Sequence, residues 1–237
     1  MSRINSLDNL RGIAFIFMII HHICYYYDIS NNGTTSYARN EIVDTCGTIA
    51  RTLFIILAGY SINMTYNKYK EEYLEKRFIR SVEIFAHGLI ITLVSYLLFP
   101  SEYIRFGILH FIGLGTLLIS IFTPYKVAAL GALAISLVVD VPKVSPFVDT
   151  ITGAMPHYNM MDWFPLNRWI PYLLSGMIIG QHIDINKIKL LDSIPIINND
   201  GILSTIGKNC LDLYTIHVVI FMILAYIKAN KMYLFQE

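Results

Sequence analysis

Seven stretches of the chain are apolar enough to read as membrane spans: roughly 10–27, 46–65, 79–99, 105–123, 125–141, 168–182 and 208–228. Each is short because polar residues interrupt it. The first begins at Arg11 and closes on the pair His21-His22, followed by Tyr25, Tyr26 and Tyr27. On a helix, the step from Arg11 to His22 is three turns plus about 20° and a rise of about 16 Å. Arg11 and His22 therefore share one face about half a bilayer apart, and Asp8 joins that face one turn below Arg11. His21 points about 100° away. A charged side chain at membrane depth costs about 2.5–3.5 kcal/mol on insertion scales. Polar groups at two heights on one stripe are thus the chain's first functional signal.

Composition agrees with the span pattern. Apolar residues make up 55% of the 237, charged residues 15%, and mean hydropathy is +0.52. A soluble domain carries about 25% charged residues. The expected architecture is all-α: a polytopic transmembrane helix bundle of about seven spans, forming one domain over 1–237. The first span is followed by tyrosines rather than a small-x-small cleavage site, so it reads as a retained span and not a signal peptide. Lys68, Lys70, Lys76, Arg77 and Arg80 form the densest positive segment. The positive-inside rule puts that segment, and with it the N-terminus, in the cytoplasm. Lys187, Lys189 and Lys208 fall on the same side; Lys228 and Lys231 count mildly against. Pro142, Pro146, Pro156 and Pro165 mark 142–167 as a folded outer connection rather than a helix. A net charge of +1 without a basic, aromatic-studded patch gives no sign of a nucleic-acid partner. Cys24, Cys46 and Cys210 have no metal-ligand spacing, so no metal is expected; a Cys24–Cys46 disulfide across the first outer loop stays open.

Further polar groups lie within the spans. Arg51, Arg105 and Asp140 fall near span ends, where a long arginine can snorkel. Glu83 and His87, spaced i,i+4, can pair with each other on one face. Asp212 suits the first turns of the last span, where the helix dipole favours a carboxylate. His217 is deeper; a satisfied core group and a catalyst are both open readings. For the first-span stripe, histidine supplies a general base near neutral pH and arginine offers a planar fork to phosphate; a purely structural stripe is the equally open reading.

Several ordered segments resemble a known family. Leu7-Asp8-Asn9-Leu10-Arg11-Gly12 with His22 resembles the first-helix signature of integral-membrane acyltransferases. These include the acyltransferase-3 group and, closer and over about 210 residues, the heparan-alpha-glucosaminide N-acetyltransferase catalytic-domain family. Thr52 to Ser61, Phe106-Gly107-Ile108-Leu109-His110-Phe111-Ile112-Gly113-Leu114, Asp162-Trp163-Phe164-Pro165 with Trp169 and Pro171, and Ile206 to His217 are similar to further elements of that family.

The resemblance implies a multi-pass protein of the cell membrane. It would take an acetyl or other acyl group from a cytoplasmic coenzyme A thioester and pass it to a sugar hydroxyl or amine on the far side. Carried over by position, His22, Asp162 and His110 are catalytic, with His22 the base, and Arg11, Arg51 and Asp8 hold the donor. Trp163, Tyr214, His217 and His21 line the acceptor site. Trp163, Tyr214 and His110 are all candidates to donate to the oxyanion. The heparan enzyme has a reactive histidine in its first outer loop, whereas residues 28–45 contain none. Direct transfer is therefore expected over an acyl-histidine in that loop. Acetyl-CoA serves as donor substrate, and the bilayer, a glycan or other small acceptor and a second copy of the chain complete the set of expected partners. A proton-coupled transporter using Glu83, Asp140, Asp212 and the histidines is the rival reading, but no internal repeat of the usual transporter kind is visible.

Overall fold

The computed structural model describes residues 5–154, 159–184 and 201–234, with side chains up to Asn230. Pro156, Lys187 and Lys189, and the side chain of Lys231, lie outside the described residues.

Each of the seven apolar stretches carries a helix. They are α1 (Asn5–Ser30), α2 (Glu41–Tyr69), α3 (Tyr73–Leu98), α4 (Ile108–Ile119), α5 (Lys126–Val138), α7 (Leu166–His182) and α9 (Cys210–Leu234). Two short α-helices are also present among the described residues: α6 (Pro146–Thr152) and α8 (Ile202–Lys208). No strand forms among the described residues; one isolated bridge joins Phe106 to Trp163. Three helical stretches are long and apolar enough to cross a membrane: α1, the run Glu41–Leu98 and Cys210–Asn230. Within that run, α2 and α3 meet at a 3-10 turn, Lys70–Glu72, where Lys70 takes a positive φ of 32°. Large apolar side chains face outward along α3, α5 and α9, among them Leu93, Leu97, Val127, Leu137, Ile220 and Leu224. An outward apolar surface of this extent needs a lipid environment.

α2 runs against α1, so that Arg11 reaches Ser61 and His21 lies over Gly47. α7 packs along α2, with Asn63 donating to the Met177 carbonyl at 2.6 Å. α4 is short, at 12 residues. It starts inside the bundle because residues 102–107 enter as extended chain beside 161–164. There Met161 N–H donates to the Glu102 carbonyl and Phe164 N–H to the Phe106 carbonyl, both at 2.9 Å. Non-helical backbone at this depth is tolerated where other protein or a cavity satisfies it.

Two expectations change and one open alternative closes. The 142–167 connection contains α6, because Pro146 sits in its first turn, where a missing N–H costs nothing, and Ser145 caps it through Val148 N–H. Cys24, Cys46 and Cys210 are all free, so no Cys24–Cys46 disulfide forms. Glu83 and His87 do not pair: Glu83 bonds Arg80 at 2.8 Å, while His87 bonds Thr215 at 2.9 Å and lies 3.7 Å from Asp212.

Candidate active site

Two cavities meet inside the bundle. The first takes up about 890 Å³, its open mouth included, and is lined at one end by Arg11, Ser61, Arg77, Arg80 and Lys208. Its walls are Phe54, Ile84, Ile108, Leu109 and Ile112, and it ends at Tyr214. The second, about 410 Å³, is lined by His21, His22, Gly47, Arg51, Asp162, Phe164 and Tyr214. Ile108 and Tyr214 belong to both, so the two spaces adjoin there. A cationic space and a histidine-bearing space thus share a wall at Ile108 and Tyr214.

The His22 ring is held by α9. Its Nδ1 lies 2.9 Å from Nε2 of His217, and Nδ1 of His217 lies 2.9 Å from the Leu213 carbonyl. The carbonyl can only accept, so Nδ1 of His217 carries the proton and Nε2 is its acceptor. His22 must then donate from Nδ1, which leaves Nε2 as its basic lone pair. Tyr26 and Tyr214 meet the His22 ring edge-on at 5.9 and 6.2 Å between centroids and fix its plane. His21, although 100° away along the helix, lines the same cavity, stacked on Tyr25.

Arg11 lies in the other cavity, paired with Asp8 at 2.7 Å and bonded to the Ser61 hydroxyl. The one-face stripe is real, but its two ends serve two spaces. Arg51, grouped with Arg11 and Asp8 on sequence, sits apart from them beside His21 and His22. The cause is α2's antiparallel course, which puts Ser61, ten residues on, level with Arg11. Arg51 is anchored by the Gly47 carbonyl at 3.1 Å and the Thr48 hydroxyl at 3.0 Å.

Asp162, His110 and Trp163 are tied to the re-entrant segments. Asp162 Oδ2 accepts from Ile108 N–H at 3.0 Å, capping the start of α4, and the carboxyl lines the His22 cavity. Burial pushes this carboxyl up to about 6, against the opposing pull of the Ile108 N–H and Arg51. His110, 2% exposed, accepts from Gly107 N–H at 3.2 Å and reaches the Thr92 hydroxyl at 3.3 Å. Because Thr92 already donates to the Ile104 carbonyl, His110 donates to Thr92 and both ring nitrogens are engaged. Trp163 donates its indole N–H to the Thr150 carbonyl at 2.8 Å. Of the three oxyanion-donor candidates, two are therefore occupied in holding the fold, and Tyr214 lines both cavities.

Arg77, Arg80, Lys208 and Cys210 line the cationic cavity without having been read as site residues. Arg77 and Arg80 stand in a basic run whose obvious meaning is membrane topology. Their three-residue spacing on α3 is the only sequence signal that they share a face. Among the described residues no group of His, Cys, Asp and Glu is placed to hold a metal ion.

A helical membrane bundle with adjoining cationic and histidine-bearing cavities has the layout of an enzyme that passes a group between two bound molecules. Over residues 3–219 the sequence matches the family described as heparan-alpha-glucosaminide N-acetyltransferase, catalytic, and the chain belongs to that family. It is a membrane acyltransferase. No curated protein and no solved structure matches it.

Proposed function

We propose that this chain moves an acetyl or acyl group from coenzyme A on the cytoplasmic side of the cell membrane to a sugar hydroxyl or amine on the other side. In this reading the whole chain is one domain of seven spans, its N-terminus in the cytoplasm, with α4 and α5 as the short ones. The adjoining cavities carry the proposal, because direct transfer needs donor and acceptor to meet at one point.

The thioester enters the cationic cavity with its arm directed at Ile108 and Tyr214. The acceptor lies in the second cavity, against His22. As the acceptor oxygen or nitrogen attacks the thioester carbon, Nε2 of His22 takes its proton. Charge builds on the carbonyl oxygen beside the Tyr214 hydroxyl, near the N-terminal end of α4, whose dipole favours an anion. When the carbon–sulfur bond breaks, the proton on Nε2 passes to the departing sulfur. Coenzyme A thiol and acylated acceptor result, and His22 is again neutral. His217 holds the ring in the donating-Nδ1 tautomer throughout. His21, Arg51 and Asp162 shape the acceptor side, and Trp163 and His110 keep the re-entrant segments in place around it.

The test is thiol release from acetyl-CoA by the full chain in detergent, against amino sugars and neutral sugars, beside His22→Ala. Acceptor-dependent release that the variant lacks is the expected result. Release equal in both rules out His22 as the base, and no release with any acceptor, from protein that binds coenzyme A, rules out a sugar acceptor.

A further inference from the structure

Arg77 stands one turn into α3, 4% exposed, in the wall of the cationic cavity. Of the arginines beside it, Arg11 is paired with Asp8 at 2.7 Å and Arg80 with Glu83 at 2.8 Å. Arg77 differs. Its Nε is buried without a hydrogen-bond partner, and among the described residues no carboxylate pairs with it. A guanidinium taken out of water without a counter-ion destabilises the fold that holds it. In such a site an arriving anion is attracted far more strongly than at the surface.

The rest of the cavity is graded. α3 and α9 run side by side in the same direction, with His87 at Thr215 and Phe99 at Tyr226. Arg77, Arg80 and Lys208 therefore lie toward one end of the cavity and Ile84 and Tyr214 further along it, with Ile108, Leu109 and Ile112 in the same walls. A ligand matched to this gradient has an anionic end and an uncharged arm. Guanidinium binds the oxygens of phosphate in a bidentate fork, which a lysine cannot reproduce.

We propose that Arg77 is the phosphate anchor of the acyl donor, binding the phosphate from which the neutral pantetheine arm extends toward Tyr214. This rests on the coenzyme A reading above. Arg11 and Arg80, each with a carboxylate of its own, add to the field of the site but do not supply its vacant counter-charge.

The test compares wild type, Arg77→Gln and Arg77→Lys, full-length in detergent. Binding of coenzyme A, 4′-phosphopantetheine, pantetheine and inorganic pyrophosphate is measured by calorimetry, and unliganded melting is followed alongside. Wild type should bind phosphopantetheine at least 100-fold more tightly than pantetheine. Arg77→Gln should weaken coenzyme A about 100-fold and Arg77→Lys about tenfold, and unliganded Arg77→Gln should melt at or above wild type. Two results overturn the assignment: Arg77→Gln binding coenzyme A as wild type does, or melting well below wild type. Should wild type ignore coenzyme A and phosphopantetheine but bind pyrophosphate through Arg77, the anion site stands and the coenzyme A reading falls.

Discussion

His22 on α1 and His217 on α9 are joined ring to ring, Nδ1 to Nε2, at 2.9 Å, with the rings stacked at 5.1 Å between centroids. The Leu213 carbonyl at the far end of this chain sets the direction of both protons. A base whose tautomer is set by a second group loses catalysis when that group is removed, even if substrate binding survives. His217→Leu is therefore expected to lower kcat by about 10²-fold or more, within the range general-base removal gives. KM for the donor should stay within about twofold. His217→Gln, whose side-chain carbonyl can still accept from His22, should recover part of the loss. Steady-state kinetics with acetyl-CoA checks this; an equal fall in both variants points to packing instead.

Arg11 and His22 should separate cleanly in function. Arg11→Ala is expected to weaken coenzyme A binding, and His22→Ala to remove turnover with binding largely kept. Arg11→Ala also removes the 2.7 Å ion pair to the 1%-exposed Asp8, so some loss of melting temperature is expected beside the loss of binding. Titration calorimetry and thermal melting, run on the same samples, distinguish the two effects.

What could be read from sequence follows how local each signal is. The stripe Asp8, Arg11, His22 depends on helical spacing alone, and it survives as an ion pair at one end and a catalytic candidate at the other. The partners of that stripe come from other helices. That His217 meets His22, or that Arg51 lies level with His21 rather than Arg11, depends on how α2 and α9 pack against α1. No spacing within one span carries that information. His110 and Trp163 were legible as motif residues but not as loop-holding ones. Their hydrogen bonds run to Gly107, Thr92 and Thr150 on chain that re-enters the bundle. Arg77 was hidden by a stronger meaning, since a basic run next to a span reads first as topology.

Gly207 offers a test of the cationic cavity that leaves its charges alone. α8 crosses the Arg11 end of α1 so closely that a Cβ on Gly207 would strike the backbone carbonyl of Asp8. A backbone atom cannot rotate aside, so α8 must move as a unit. Overpacking of this kind costs about 1–3 kcal/mol. Gly207→Ala should lower the melting temperature and weaken coenzyme A binding, because Gly207 and Lys208 both line the cavity. Gly131, whose added Cβ meets nothing, is the control: Gly131→Ala should leave coenzyme A binding unchanged and leave the melting temperature the same or slightly higher, since alanine favours the helix interior.

Asp162 gives the fold a pH dependence with a definite sign. Burial raises its carboxyl from 3.8 to about 6, so folding favours the protonated form. The stability this contributes is fully present below about pH 3.8, the ordinary value, and is lost as pH rises through about 6. Asp162→Asn is permanently uncharged, and its side-chain oxygen can still accept from Ile108 N–H. The variant should therefore gain on wild type as pH climbs from 4 to 7, with most of the change between 4 and 6. Melting temperatures of both proteins across that range, in one detergent and at one ionic strength, give the difference curve. Because other titrating groups are common to the two proteins, their contributions cancel in the difference. A curve that is flat, or one that falls with pH, means that the carboxylate is stabilised at the start of α4 and that Arg51 and the Ile108 N–H outweigh its burial.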